Sequence, residues 1–172
     1  MSAATVSRAQ PGQALVMAAA ILGLLVLLAF GTLSIVTERR IISRVQLVLD
    51  QAAFAAQTQV STRALLAGTP ALERTLAESR FRDSLRRGLA RLAPGIATPV
   101  DAVVRDAELT LSDDGTCALV SEPARVWTTD DPDAGPTVCA RVRVGVPTFW
   151  GVRELIVDTT TAGTDGARSA PE

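Results

Sequence analysis

An uncharged apolar run extends from Ala14 to Val36, and beyond it apolar positions recur at helical spacing, with no proline, to about Ala67. The first part is apolar all round, so none of its faces suits water. At about 1.5 Å per residue its 23 residues cover roughly 34 Å, enough for a hydrocarbon core about 30 Å thick. The pattern predicts a transmembrane helix over residues 13–36, opened by Gly12 and Gln13 after a leader of residues 1–12. Beyond it Ile41, Val45, Val48, Ala52, Ala56 and Val60 recur at steps of three and four, with Ser43, Gln46, Asp50, Gln57 and Ser61 on another face. This predicts an amphipathic continuation over 37–67, polar side outward.

Gly68 is the expected stop of that helix. Thr69 as N-cap, Pro70 at the first helical position and Glu73 in the first turn then predict a second helix over 69–93. Its apolar positions are Leu72, Leu76, Phe81, Leu85, Leu89 and Leu92, and Pro94 with Gly95 ends it.

From Val100 the period is read as two, which predicts a β region over 100–162. Ala107, Leu109 and Leu111 alternate with Glu108, Thr110 and Ser112, and Asp113, Asp114 and Gly115 supply a turn into a second strand over 116–121, the two forming a hairpin. A short strand follows over 126–129. Val138, Ala140, Val142, Val144 and Val146 then share one face of the clearest strand, with Cys139, Arg141 and Arg143 on the other. Leu155 to Thr161 closes the sheet, and residues 163–172 read as a frayed tail. The fold class expected is α+β: a long N-terminal transmembrane helix continuing as an amphipathic helix, a second helix, then an antiparallel sheet of about four strands covered by the amphipathic helix.

Composition narrows the function classes. A chain of 172 residues holds one membrane segment and one modest domain. It has no His, no Tyr and no Lys, and all 17 basic residues are Arg. The commonest general base and zinc ligand is therefore missing, as is any Schiff-base amine on a side chain. No nucleophile elbow, phosphate loop or dinucleotide fingerprint is present, so neither an enzyme nor a cofactor nor a small-molecule substrate is expected. A net charge of −1 gives no long-range attraction for nucleic acid. Arg80, Arg82, Arg86, Arg87 and Arg91 read as a solvated helix face, with Glu78 and Asp83 four residues before Arg82 and Arg87. Asp130, Asp131 and Asp133 read as turn residues, because no later carboxylate completes a calcium loop. Trp127, Phe149 and Trp150 fit a domain core or a membrane-facing edge.

The apolar run is longer than the core of a cleaved secretory signal, and no small-residue cleavage site with a polar mature start follows it. Orientation stays open. Arg39, Arg40 and Arg44 after the run, against Arg8 before it, favour a cytoplasmic C-terminal side. Cys117 and Cys139, if joined, favour an oxidising compartment; the alternative is two separate buried thiols.

PGQALVMAAAILGLLVLLAFG, an arginine-bearing polar step, and LVLDQAAFAAQ together resemble the N-terminal region of TadE/TadG-like proteins of tight-adherence (Flp-type) pilus systems. The resemblance covers residues 12–60, and ARVRVGVPTFWGVRELIVDTTTAG is loosely similar to the late strands of many such chains. It implies a minor pilin or pseudopilin in a bacterial inner membrane, with the C-terminal domain extracytoplasmic and pilin-like or pilus-assembly subunits as partners through the N-terminal helix. It also implies cleavage of the leader after Gly12, leaving Gln13 as the first residue. Met17 departs from the pattern, because the fifth mature residue of type IV prepilins is usually Glu, and a thioether cannot pair with a neighbouring amino terminus as a carboxylate does. The alternative is a membrane-tethered binding or sensing module outside any filament. Ala19 and Gly23 form a small-xxx-small pair suited to helix packing, and Ala52, Ala53, Ala55 and Ala56 offer a second low-profile surface, for another helix or for the chain's own domain.

Overall fold

The computed structural model describes residues 11–68, 70–128, 135–148 and 150–161. The chain divides into two units, Met1–Thr37 and Glu38–Glu172, and helix α1 (Pro11–Gln57) contributes to both. In the first unit every described side chain from Leu15 to Thr37 is exposed. Two of its hydroxyls are satisfied within the helix: Thr32 donates to the Ala29 carbonyl at 3.0 Å and Thr37 to that of Leu33 at 2.9 Å. This is the one helix among the described residues long and apolar enough to cross a membrane.

The second unit is α+β. Its helices are the C-terminal part of α1, α2 (Thr62–Leu66), α3 (Arg74–Ala90) and α4 (Val100–Asp106). Its strands are β1 (Glu108–Ser112), β2 (Thr116–Leu119), β3 (Arg125–Thr128), β4 (Thr137–Thr148) and β5 (Gly151–Thr161). They form an antiparallel sheet in the order β1-β4-β5 and a separate two-stranded sheet, β2-β3. Val45, Leu49, Ala52, Ala53 and Ala56 of α1 enter one buried cluster with Phe81, Leu85 and Leu89 of α3, Val103 and Val104 of α4, and the valine face of β4. Gly88 lets α1 come close to α3, since a Cβ there would lie 2.3 Å from Val48 Cγ1.

The polar face expected to look at water instead binds the helix to the sheet. Gln46 donates to the Asp158 carbonyl at 3.0 Å, Thr159 Oγ1 donates to Asp50 at 2.5 Å, and Gln57 donates to the Pro136 carbonyl at 3.0 Å. The alanines at 52, 53 and 56 are buried in the chain's own core and therefore offer no surface to another helix.

Several boundaries differ from expectation for identifiable reasons. The amphipathic helix ends at Gln57 rather than 67. Residues 58–62 are rich in β-branched and hydroxyl side chains, and Val60 is drawn into a bridge with Leu72, flanked by Ser61 N–H to the Ala71 carbonyl and Glu73 N–H to the Gln59 carbonyl, each 2.9 Å. The same pairing, with Leu72 N–H donating to Asp113 Oδ1 at 2.9 Å, delays the second helix from 69 to Arg74 and ends the role expected of Pro70. Thr69, the expected N-cap, lies outside the described residues. That helix also stops at Ala90, short of 93.

Residues 100–106 are helix, not strand: Val100, Val103 and Val104 carry helical spacing after Pro99, and alternation begins only at Ala107. The expected hairpin of 107–112 with 116–121 is replaced by β1 on β4, Glu108 opposite Arg141 and Ser112 opposite Thr137, and by β2 on β3. Gly115 does make the turn, with φ of +77°, yet the strands it joins lie in different layers. The expected single sheet of about four strands is therefore two sheets. The expected tail, 163–172, lies outside the described residues.

Candidate functional site

Two regions concentrate chemistry: the exposed apolar part of α1 and a buried ionic cluster behind β4. In the first, Gly12 and Gln13 fall within α1 but their side chains lie outside the described residues. Met17 is exposed, as are Ala19 and Gly23, and a Cβ at Gly23 would meet nothing within 4 Å. The small-residue pair is thus exposed, with nothing within 4 Å of a Cβ at Gly23 among the described residues.

The second region follows from the alternation in β4. Its valine face meets the helices, so Cys139 and Arg141 turn to the opposite side, where the β2-β3 sheet covers them. Arg141 is only 1% exposed. Its Nε and Nη2 donate to the two Asp158 oxygens at 2.6 and 3.0 Å, and its Nη1 donates to the Ser121 carbonyl and, at 3.1 Å, to Ser121 Oγ. Arg125 reaches the same carboxylate at 3.4 Å. The hydrogen bond to Asp158 holds the Arg141 proton more firmly than usual, against the opposing effect of burial.

Glu108 closes the cluster by accepting from the N–H groups of Val120 and Ser121, at 2.5 and 3.2 Å, and from the Ser121 hydroxyl. Burial pushes its pKa up, but the Ser121 hydroxyl, the two N–H groups and the Arg141 charge together outweigh burial and hold it below its ordinary 4.5. A lowered carboxylate contributes stability above the unfolded value that is lost as pH falls through the folded one. The denaturation midpoint of the full chain in detergent is accordingly expected to fall on acidification below pH 4.5, and to fall less in Glu108→Gln. An equal acid sensitivity in that variant would contradict the assignment.

Cys117 and Cys139 are joined, with Cα atoms 6.0 Å apart, and Trp127 packs against the bridge. The cluster therefore fastens one sheet to the other. Asp158 has both oxygens engaged by guanidinium groups, which leaves it poorly placed for proton transfer. No group of three or more metal-ligating side chains occurs among the described residues, and Asp130, Asp131, Asp133 and Phe149 lie outside them.

No family model, curated protein or solved structure matches the chain.

The arginines of α3 divide. Arg82 pairs with Glu78 at 2.7 Å as the spacing implies, and Arg86 pairs with Asp101 at 3.1 Å. Arg87 donates to the Asp83 carbonyl at 3.3 Å instead of its carboxylate. The partnership of Arg141 with Asp158 had one sequence signal, an arginine alternating with valines inside the most apolar strand, but nothing local named its partner.

Proposed function

We propose that the chain is a structural, non-enzymatic, single-pass membrane protein that serves as a minor pilin or pseudopilin-like component of a Tad-type pilus or secretion assembly. The reading places it in a bacterial inner membrane with the 38–172 unit outside the cytoplasm. One observation carries it: from Leu15 to Val36 α1 is apolar and exposed at every position whose side chain is described, whereas from Val45 to Ala56 the same helix supplies core residues. An apolar helix exposed along this length is stable in lipid or against other apolar helices, and not in water. Leu47 and Phe54, two turns apart and 57% and 63% exposed, extend an apolar surface for a partner subunit beyond the span. The joined cysteines support an oxidising compartment for the second unit.

A tethered binding module that enters no filament is the second reading, favoured by Met17 where pilin-like assembly uses a carboxylate. Intact mass and N-terminal sequencing of the protein from its native membrane separate the two. A chain beginning at Gln13 is the expected result for an assembling subunit; one that retains Ser2 to Gly12 would shift the reading to the permanent anchor.

A further inference from the structure

The second unit begins at Glu38, two residues past the last apolar position of the run, so the first residues it contributes emerge at the membrane interface if α1 spans the bilayer. Arg39, Arg40 and Arg44 follow within two turns and are exposed. Helical side chains lean toward the N-terminus, so all three reach back toward the headgroups. Arg91, from the far end of α3, joins them. It lines an open depression with Ile41, Arg44, Leu92, Pro94 and Gly95. No carboxylate lines that depression, and among the described residues no hydrogen bond or ion pair engages the guanidinium of Arg39, Arg40, Arg44 or Arg91. Arg82 and Arg86, by contrast, each have an acidic partner.

The β4–β5 hairpin turns at the same end of the unit. Arg153 pairs with Glu38 at 2.9 Å, and the Ala97 N–H donates to the Gly145 carbonyl at 2.7 Å, tying the start of β5 and the late part of β4 to the first turn of this unit and to the loop beyond Gly95. At the tip Trp150 is 89% exposed and Val152 is 67% exposed. Unneutralised guanidinium groups at the same end of the unit as an exposed indole and aliphatic side chain suit a lipid interface: the cations meet phosphates while the apolar groups enter the acyl boundary.

We propose that this end of the 38–172 unit, the β4–β5 tip together with the Arg44–Arg91 depression, rests on the bilayer and binds the phosphate headgroups of anionic phospholipids. The proposal rests on the anchoring reading above. It also gives Arg39, Arg40 and Arg44 a role on the extracytoplasmic side, where loop-charge bias alone would not place them.

The test uses the full chain reconstituted in phosphatidylcholine vesicles with and without phosphatidylglycerol, some with lipid brominated in the upper acyl chain. Brominated lipid is expected to quench a tryptophan emission that disappears in Trp150→Phe. Phosphatidylglycerol is expected to be retained by the purified protein in preference to phosphatidylcholine, with a roughly fivefold loss for each of Arg44→Gln and Arg91→Gln. Both arginines are exposed, so the variants leave the core untouched. Protein that floats with the vesicles but shows no Trp150 quenching, or retains both lipids equally, would overturn the proposal and leave the anchor standing. Protein that does not float would overturn both.

Discussion

Replacing Arg141 by methionine is expected to destabilise the full chain by about 3 kcal/mol or more, read as a lower urea midpoint in detergent micelles. The guanidinium is 1% exposed and supplies both close hydrogen bonds to Asp158, whose side chain is 10% exposed. Its removal leaves a nearly buried carboxylate with Arg125 at 3.4 Å as the remaining cation, and takes a donor from the Ser121 carbonyl. The cost arises chiefly from stranding the partner, since the Coulombic gain of a buried pair is largely offset by desolvation of both ions. Substituting Asp158 by leucine in the same molecule is therefore expected to restore most of the loss. A single Arg141→Met variant within about 0.5 kcal/mol of the parent would show that the cluster is not a structural tie.

Removing the Cys117–Cys139 link by alanine at both positions is expected to cost about 3 kcal/mol, the loop-closure value for their separation of 22 residues. Its consequence is local. Among the described residues the β2 and β3 strands pair with each other, and their sheet is fastened to β1, β4 and β5 by the disulfide, the Ser121 contacts of Arg141 and Glu108, the Val120 N–H donating to Glu108, Arg143 donating to the Glu122 carbonyl at 3.0 Å, the Arg125–Asp158 ion pair and the Thr110 hydroxyl donating to the Ala118 carbonyl at 2.8 Å. Amide exchange in the alanine variant should accelerate first across 116–128, while β4 and β5 stay protected. Thiol labelling of the native parent without reductant should modify neither cysteine, and labelling of both would remove the basis for this prediction. The two predictions concern one joint, so the combined variant should lose less or more than the sum of its parts, by an amount that measures their coupling.

The proposed membrane-resting surface draws on a different part of the unit, and the two are independent. Arg141 and the cysteines lie under the β2-β3 sheet, whereas Arg44, Arg91 and Trp150 are exposed. Loss of the first should loosen the domain without releasing it from lipid. Loss of the second should change lipid preference without changing the urea midpoint.

The apolar span, the helical spacing from Ile41 to Ala56, the leucine face of α3 and the two-faced alternation of β4 were all legible along the chain, because each is a repeat within one element and needs no knowledge of neighbours. The α+β class follows from those repeats. What they could not carry was partnership. A turn as suitable as Asp113 to Gly115 argues for a hairpin, but β4, buried on both faces along most of its length, offers β1 and β5 more burial than adjacent strands could give each other. Competing hydrogen bonds from Ser61, Leu72 and Glu73 likewise moved the ends of α1 and α3, against local propensity. Gln46, Asp50 and Gln57 read as a solvent face until the sheet laid carbonyls and a hydroxyl against them, and Arg141 acquired Asp158 only through the β4–β5 register. Periodicity records which side of an element avoids water; which surface then covers that side is settled by contacts between residues far apart in the chain, whose free energy appears only when the whole core closes.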